Sequence, residues 1–457
     1  MKINLLTVVL LIPFLVSAQE HTLKGKITGL KDMHVKINGF YGSETGVIDS
    51  VAVDESGRFE YTFPADAYTG MYRLRFGQNG FMDIIYNNEN IRFTSNINAL
   101  IDSLKFHDSR ENRLYFEYLN KRNLAEYKLE LLNPLLSYYP EDDTFYTDVK
   151  RKYIRLNSEL QDYVKNLTRN NAGLYVSRLV QMDYVPAPPA TLSEMEKIDY
   201  MREHYFDGAD FSDTSLLYSQ VISNKILQYL SLYQNNRFGK DQLQVEFIKA
   251  VNRIMAETNE EPQVYEYVMD YLITGFESYG FDRVITYIAD NIDMDQTCVN
   301  SERKAELEKK VESLKKFAVG QKAPDFTATS LQGNEVTLSE IGSEYTLLVF
   351  WATWCPHCTQ LLPKLETLYL PENTGKLEIV AVSLDDSEEE LQSFLKEGNY
   401  NWINIADFKK WQGDVVQLYD IYATPTMFLL YKDRTILAKP MTSDEVKHVL
   451  FERNVLK

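Results

Sequence analysis

The sequence predicts a multidomain chain with a β-sandwich-like N-terminal domain, an all-α central region and an α/β domain at the C-terminus. Three observations carry this reading. Polar and apolar residues alternate between turn signals over residues 19–104. Apolar residues recur every three or four positions over 105–317. From 318 to 457, strand-like and helix-like runs take turns. At 457 residues the chain is too long for one core, and about three domains suit that length.

Residues 1–18 read as a signal peptide and stand apart from the fold. Lys2 supplies a positive start, Leu5 to Val16 is a mostly apolar run, and Val16-Ser17-Ala18 is a small-residue cleavage pattern ahead of Gln19. About twelve apolar residues are too few to span a bilayer. No cysteine follows the signal, which argues against a lipid anchor. The expected product is exported, periplasmic and soluble.

In the β-rich part, His34-Val35-Lys36-Ile37-Asn38 and Arg58-Phe59-Glu60-Tyr61-Thr62-Phe63 alternate in polarity. Tyr72 to Phe76 and Ile91 to Thr94 continue the pattern, and Gly29, Gly42, Ser56-Gly57, Gly70 and Gly77 to Gly80 punctuate it. Short strands at that spacing predict a small antiparallel sandwich. Beyond it, Leu114, Phe116, Leu119 and Leu124, then Val221, Ile222, Ile226, Leu227 and Leu230, follow helical spacing. The break at Asp183-Tyr184-Val185-Pro186-Ala187-Pro188-Pro189 divides the helical region, because proline cannot continue a helix. Ser301 to Phe317 is a charged helix leading into the last domain.

A net charge of -18 excludes a general binder of nucleic acid or of anionic membranes, since both need a basic surface. There are three cysteines, Cys298, Cys355 and Cys358. An exported protein stapled by disulfides would carry more, at wider spacing, so the close pair is for chemistry. A metal site would need a second ligand pair, and none is present, so no metal and no cofactor are expected. Cys298 reads as a buried or idle thiol; the alternative is a third redox or intermolecular partner.

The C-terminal part holds the strongest signal. Thr346 to Trp351 is an apolar run that reads as a buried strand, and Thr359 to Tyr369 reads as a helix with Leu361, Leu362, Leu365 and Leu368 on one face. Trp354-Cys355-Pro356-His357-Cys358 lies between them, so Cys355 falls at a helix N-terminus and should be exposed there. Unpaired N–H groups and the macrodipole favour an anion at that place, and a thiolate is the attacking species in disulfide exchange. Leu377 to Leu384 is a second strand, and Ser387 to Lys396 a helix with Ser387 and Glu390 as a capping pair. Thr426 to Leu430 and Thr435 to Ala438 are further strands, and Ser443 to Phe451 a closing helix. Alternation of this kind implies a sheet layered by helices.

These residues resemble a thioredoxin fold, and more narrowly the exported TlpA/ResA-type thiol–disulfide oxidoreductases. Gly320-Gln321-Lys322-Ala323-Pro324-Asp325-Phe326 is similar to the opening motif of redoxin domains. Phe350 to Cys358 matches the active-site segment, Val380 to Asp386 the central strand, and Tyr422-Ala423-Thr424-Pro425-Thr426 the loop that carries the family's cis-proline. The resemblance covers about residues 320–457. It implies protein thiol and disulfide substrates and a membrane-embedded electron donor.

Roles follow for single residues. Cys355 is the expected nucleophile and Cys358, one turn inside, the resolving thiol. Pro356 starts the helix. His357 can place positive charge near the Cys355 sulfur, which would make the disulfide more oxidising, whereas the family is mostly reducing. The direction of electron flow stays open at this point, with a reductase or interchange role preferred. The resemblance sets the backbone of Thr424, ahead of a cis Pro425, against the dithiol. Trp354 is expected on the surface beside Cys355, and Trp351 in the core. Thioredoxins carry a buried Asp where this chain has Val349. Asp386 lies where the family carries an acidic residue, and reads either as a proton acceptor for Cys358 or as a solvated loop carboxylate. Two other functions compete: a peroxiredoxin-like peroxidase, and a client-binding module with a subordinate redox domain.

Overall fold

The computed structural model describes residues 20–31, 33–77, 80–291, 301–369 and 376–455. The expected leader and Cys298 lie outside the described residues. The chain forms two compact units: one from the described residues up to Tyr233 together with Ala256–Val264, the other from Gln234–Met255 together with Tyr265 onward.

In the first unit, β1 (Thr22–Thr28), β2 (His34–Tyr41), β3 (Glu44–Ala52), β4 (Arg58–Thr62), β5 (Gly70–Phe76), β6 (Gly80–Tyr86), β7 (Ile91–Asn96) and β8 (Lys105–Asp108) build two four-stranded sheets. Their orders are β4-β1-β7-β8 and β3-β2-β5-β6. Alternation puts Leu23, Ile27, Phe59, Tyr61, Ile91 and Phe93 of the first sheet and Val35, Ile37, Leu74, Met82 and Ile84 of the second into one core, which makes the sandwich. One pair departs from the antiparallel expectation: β1 and β7 run parallel, Leu23 opposite Ile91. The chain returns from β6 in the other sheet before laying β7 beside β1, and such a crossover permits parallel pairing. Lys105–Asp108 also extends the β-rich part, pairing antiparallel with β7 before the first helix.

Ser109 caps that helix, accepting from the Asn112 N–H at 3.0 Å. Helices α1 (Arg110–Tyr138), α2 (Thr144–Asn170), α3 (Tyr175–Asp183), α4 (Glu194–His204) and α5 (Val221–Ser231) follow, with α3 ending at the expected proline-rich break. Two buried polar groups on α1 tie its start to its neighbours. Asn112 accepts from Ile85 N at 2.8 Å and donates to Ile85 O at 2.7 Å, closing on β6. Glu111 accepts from the N–H groups of Tyr175 and Val176 at 2.9 and 2.7 Å, serving orphan donors at the start of α3.

Helices α6 (Lys240–Thr258) and α7 (Pro262–Ser278) each contribute residues to both units. The second unit continues with α8 (Asp282–Asn291), α9 (Ser301–Lys316), a hairpin of β9 (Thr327–Thr329) and β10 (Glu335–Thr337), β11 (Tyr345–Trp351), α10 (Pro356–Glu366), β12 (Leu377–Ser383), α11 (Glu388–Gly398), β13 (Ile403–Ala406), α12 (Asp414–Leu418), β14 (Thr426–Tyr431), β15 (Ile436–Ala438) and α13 (Ser443–Glu452). The main sheet has the order β13-β12-β11-β14-β15. Strands β11, β12 and β13 are parallel, and β14 and β15 antiparallel. All seven residues of β11 are buried, as befits a central strand covered on both faces. Trp351 is fully buried, as expected, and Phe317, just past α9, enters the same core. Among the described residues no helix is long and apolar enough to cross a membrane.

The chain's four tryptophans, Trp351, Trp354, Trp402 and Trp411, all lie in this domain. Tryptophan fluorescence therefore reports its unfolding alone. Phe350, wholly buried and packed on Tyr419 and Phe428, is the test position. Phe350→Ala should lower the stability read by denaturant-induced fluorescence change by about 3–5 kcal/mol. An unshifted midpoint would contradict this core assignment.

Candidate active site

β11 ends at Trp351, and four residues later Cys355 is the N-cap of α10 with extended backbone. Its Sγ accepts from the Cys358 N–H at 3.3 Å, the bond an N-cap oxygen would make. Pro356 occupies the first helical turn, where its missing N–H costs nothing. One turn on, Cys358 is wholly buried. Both thiols are free.

Opposite this helix start lies the loop ahead of β14. Its Thr424-Pro425 peptide is cis, the geometry the resemblance implied. The Cys355 Sγ donates to the Thr424 carbonyl oxygen at 3.4 Å. This loop corrects the expectation that Cys355 is exposed. The residue keeps only 6% of its surface, because helix start and loop close over it.

The two sulfurs differ in kind. Burial pushes the Cys355 thiol up, but hydrogen bonds with the side chains of Cys358 and Thr424 and with the backbone N–H groups of Cys358 and His357 outweigh it, leaving Cys355 below its ordinary 9.0. Burial, reinforced by the Cys355 sulfur beside it, pushes Cys358 up to about 12. An ionised outer sulfur with a protonated inner one is the arrangement that stepwise thiol exchange requires.

His357 is exposed, and it acts on the Cys355 sulfur through its backbone N–H. Among the described residues no hydrogen bond involves its imidazole. Trp354 is 48% exposed and tilts against Trp411, with ring centroids 6.1 Å apart. Val349 is buried in the strand below, as the sequence places it.

Asp386 is not brought into the dithiol's surroundings. Its carboxylate is more than half exposed and pairs with Lys410 at 2.6 Å, which holds it below the usual carboxylate range. That is the solvated alternative. The carboxylate that reaches this region is its neighbour, Asp385, which is 2% exposed. Asp385 accepts from the Thr353 hydroxyl at 2.6 Å, from Thr353 N at 3.1 Å and from the Ser383 hydroxyl at 2.7 Å. It thereby ties the turn before Cys355 to the end of β12. Sequence reading passed over it, although Ser383 two residues earlier is the kind of partner that signals a folded-back Asp.

Among the described residues no group of three His, Cys, Asp or Glu side chains is placed to hold a metal ion.

Residues 319–439 match the AhpC/TSA family, 155–316 a domain of unknown function (DUF5106) and 21–115 a second one (DUF4369). The thiol-disulfide oxidoreductase ResA of Geobacillus kaustophilus is 30% identical over 136 residues, which are 29% of this chain and 76% of that protein. ResA of Bacillus thuringiensis is 27% identical over 137 residues, 30% of this chain and 77% of that protein. Among solved structures, a thioredoxin-like protein from Bacteroides caccae is similar, with 23% identity, a TM-score of 0.46, and coverage of 59% of this chain and 98% of that one.

Asp385→Ala would leave the Thr353 hydroxyl and N–H without their acceptor. It should lower the stability of the C-terminal domain by about 1–3 kcal/mol, measured by fluorescence-monitored denaturation, whereas Asp386→Ala should leave the midpoint essentially unmoved. Equal effects of the two would overturn the distinction.

Proposed function

We propose that this chain, which belongs through its C-terminal domain to the thioredoxin-fold thiol–disulfide oxidoreductases of the TlpA/ResA type, is exported and reduces or interchanges disulfides of protein substrates through Cys355 and Cys358. The observation that carries the reading is the asymmetry of the two sulfurs. One caps a helix and is drawn below the usual thiol range; the other is sealed in the core and pushed far above it.

The Cys355 thiolate attacks one sulfur of a substrate disulfide. The substrate S–S bond breaks, a mixed disulfide forms, and the other substrate sulfur leaves as a thiolate that takes up a proton. Cys358 then loses its proton and attacks the Cys355 sulfur. This forms the Cys355–Cys358 disulfide and releases the second substrate thiol. Two electrons have passed to the substrate, which leaves as a dithiol. Regeneration needs a dithiol reductant on the same side of the membrane, and a membrane-embedded donor would serve that purpose. Thr424, whose carbonyl already reaches Cys355, offers backbone groups to an extended substrate segment, and Trp354 offers an apolar face. The two-step order rests on burial: a wholly buried Cys358 meets only a sulfur already bonded to Cys355.

Reduction of a protein disulfide, followed by release of free thiols, tests the assignment. Cys355→Ala should lose essentially all turnover, at least about a hundredfold. Cys358→Ala should instead accumulate a mixed disulfide through Cys355, seen as a covalent adduct by mass spectrometry and discharged by added thiol. Turnover retained by Cys355→Ala, or adducts on Cys358, would refute the roles.

A further inference from the structure

The run from Tyr419 to Pro425 links α12 to β14 and carries Thr424. Two helices that lie outside the five-stranded sheet reach it, all within the second unit. From α9, Lys316 Nζ donates to the Leu418 carbonyl at 2.9 Å and lies 3.7 Å from the Asp420 carboxylate. From α7, Glu277 accepts from the Tyr422 hydroxyl. Glu277 is itself held: its carboxylate, only 18% exposed, lies 3.5 Å from Lys310 Nζ, and that ammonium also donates to Thr274 Oγ1 at 2.8 Å.

The resulting geometry at Tyr422 is unusual for a surface aromatic. The residue is 71% exposed, yet its hydroxyl is tied down to a largely buried carboxylate. A ring held by its polar end presents an apolar face whose position is already set, so a ligand seated on it need not immobilise the side chain again. Its place in the chain is equally telling. Tyr422 is two residues from Thr424, whose carbonyl accepts from the Cys355 sulfur, and two residues of chain reach at most about 7 Å. Trp354, the half-exposed neighbour of Cys355, supplies a second ring next to the sulfur in sequence.

We propose that Tyr422 is a specificity-determining residue that seats an apolar or aromatic side chain next to the reacting cysteine of a polypeptide disulfide, with Glu277, on a helix ahead of the redox domain, as the positioning residue that holds it. This rests on the thiol-exchange reading of Cys355. It adds to that reading a contribution of α7 to substrate choice, through a contact that a fragment starting near residue 318 would not contain.

The test compares two disulfide-bonded peptides that differ only in carrying Phe or Ser beside the cysteine, each reduced by the full-length protein. The wild type should prefer the Phe peptide by about tenfold in kcat/KM, expressed mainly in KM. Tyr422→Ala should bring that ratio close to one. Tyr422→Phe and Glu277→Ala, which keep the ring or the backbone but lose the tie, should reduce it about threefold. Glu277→Gln, which retains an acceptor oxygen, should restore most of it; the near-isosteric Tyr422→Phe and Glu277→Gln guard against misfolding as an explanation. A wild type without preference, or a preference untouched by Tyr422→Ala, or equal losses on both peptides, would overturn the proposal. Each of those results leaves thiol exchange itself standing, because Cys355→Ala is assayed on the same peptides. Turnover by Cys355→Ala would instead remove the reading on which the proposal rests.

Discussion

The hydrogen bond from the Cys358 N–H to the Cys355 sulfur, at the first turn of α10, is the contact on which the proposed thiol exchange depends. It exists because β11 is buried along its whole length and stops at Trp351, so the next turn must leave the sheet at one place. Asp385 fixes that turn by gathering Thr353 and Ser383. Pro356 starts the helix, and the Thr424 carbonyl closes on the sulfur from the far side. Burial alone would raise both thiols. At Cys355 hydrogen bonds with the side chains of Cys358 and Thr424 and with the backbone N–H groups of Cys358 and His357 reverse that, whereas at Cys358 burial prevails, and so two cysteines three residues apart differ in kind.

The same asymmetry bears on redox poise. A thiolate favoured in the reduced protein stabilises the dithiol over the disulfide. That stabilisation is present above the lowered pKa of Cys355 and is lost as pH falls through it. In the proposed exchange it would render the Cys355–Cys358 disulfide a better oxidant than an unperturbed pair. The elevated Cys358 bears on this only above the ordinary thiol value, since below it the group holds its proton with or without the shift.

Much of the C-terminal domain was legible because its signals are local. The apolar run before Trp354, the helical spacing of Leu361, Leu362 and Leu365, and the Ser387 cap accepting from Glu390 N all appear where periodicity and capping placed them. β13 was not legible: Ile403–Ala406 is four residues long, too short for an apolar pattern to stand out. In the sandwich, the β1–β7 pair is parallel because the chain crosses between sheets, which alternation within either strand cannot reveal. At the site, what escaped sequence reading was set by tertiary closure. Cys355 is covered by a loop about seventy residues downstream, and which of two adjacent aspartates turns inward depends on hydrogen bonds to Thr353. The Tyr422–Glu277 contact joins residues 145 positions apart and leaves no trace in local pattern.

Direct titration of thiolate ultraviolet absorbance in the reduced protein tests the central claim most closely. One thiolate should form, as pH rises, at a midpoint below the ordinary thiol value. A second should form only far into the alkaline range, and the early step should vanish in Cys355→Ala while surviving in Cys358→Ala. Two thiols ionising together at or above the ordinary value, or an early step that persists without Cys355, would contradict it.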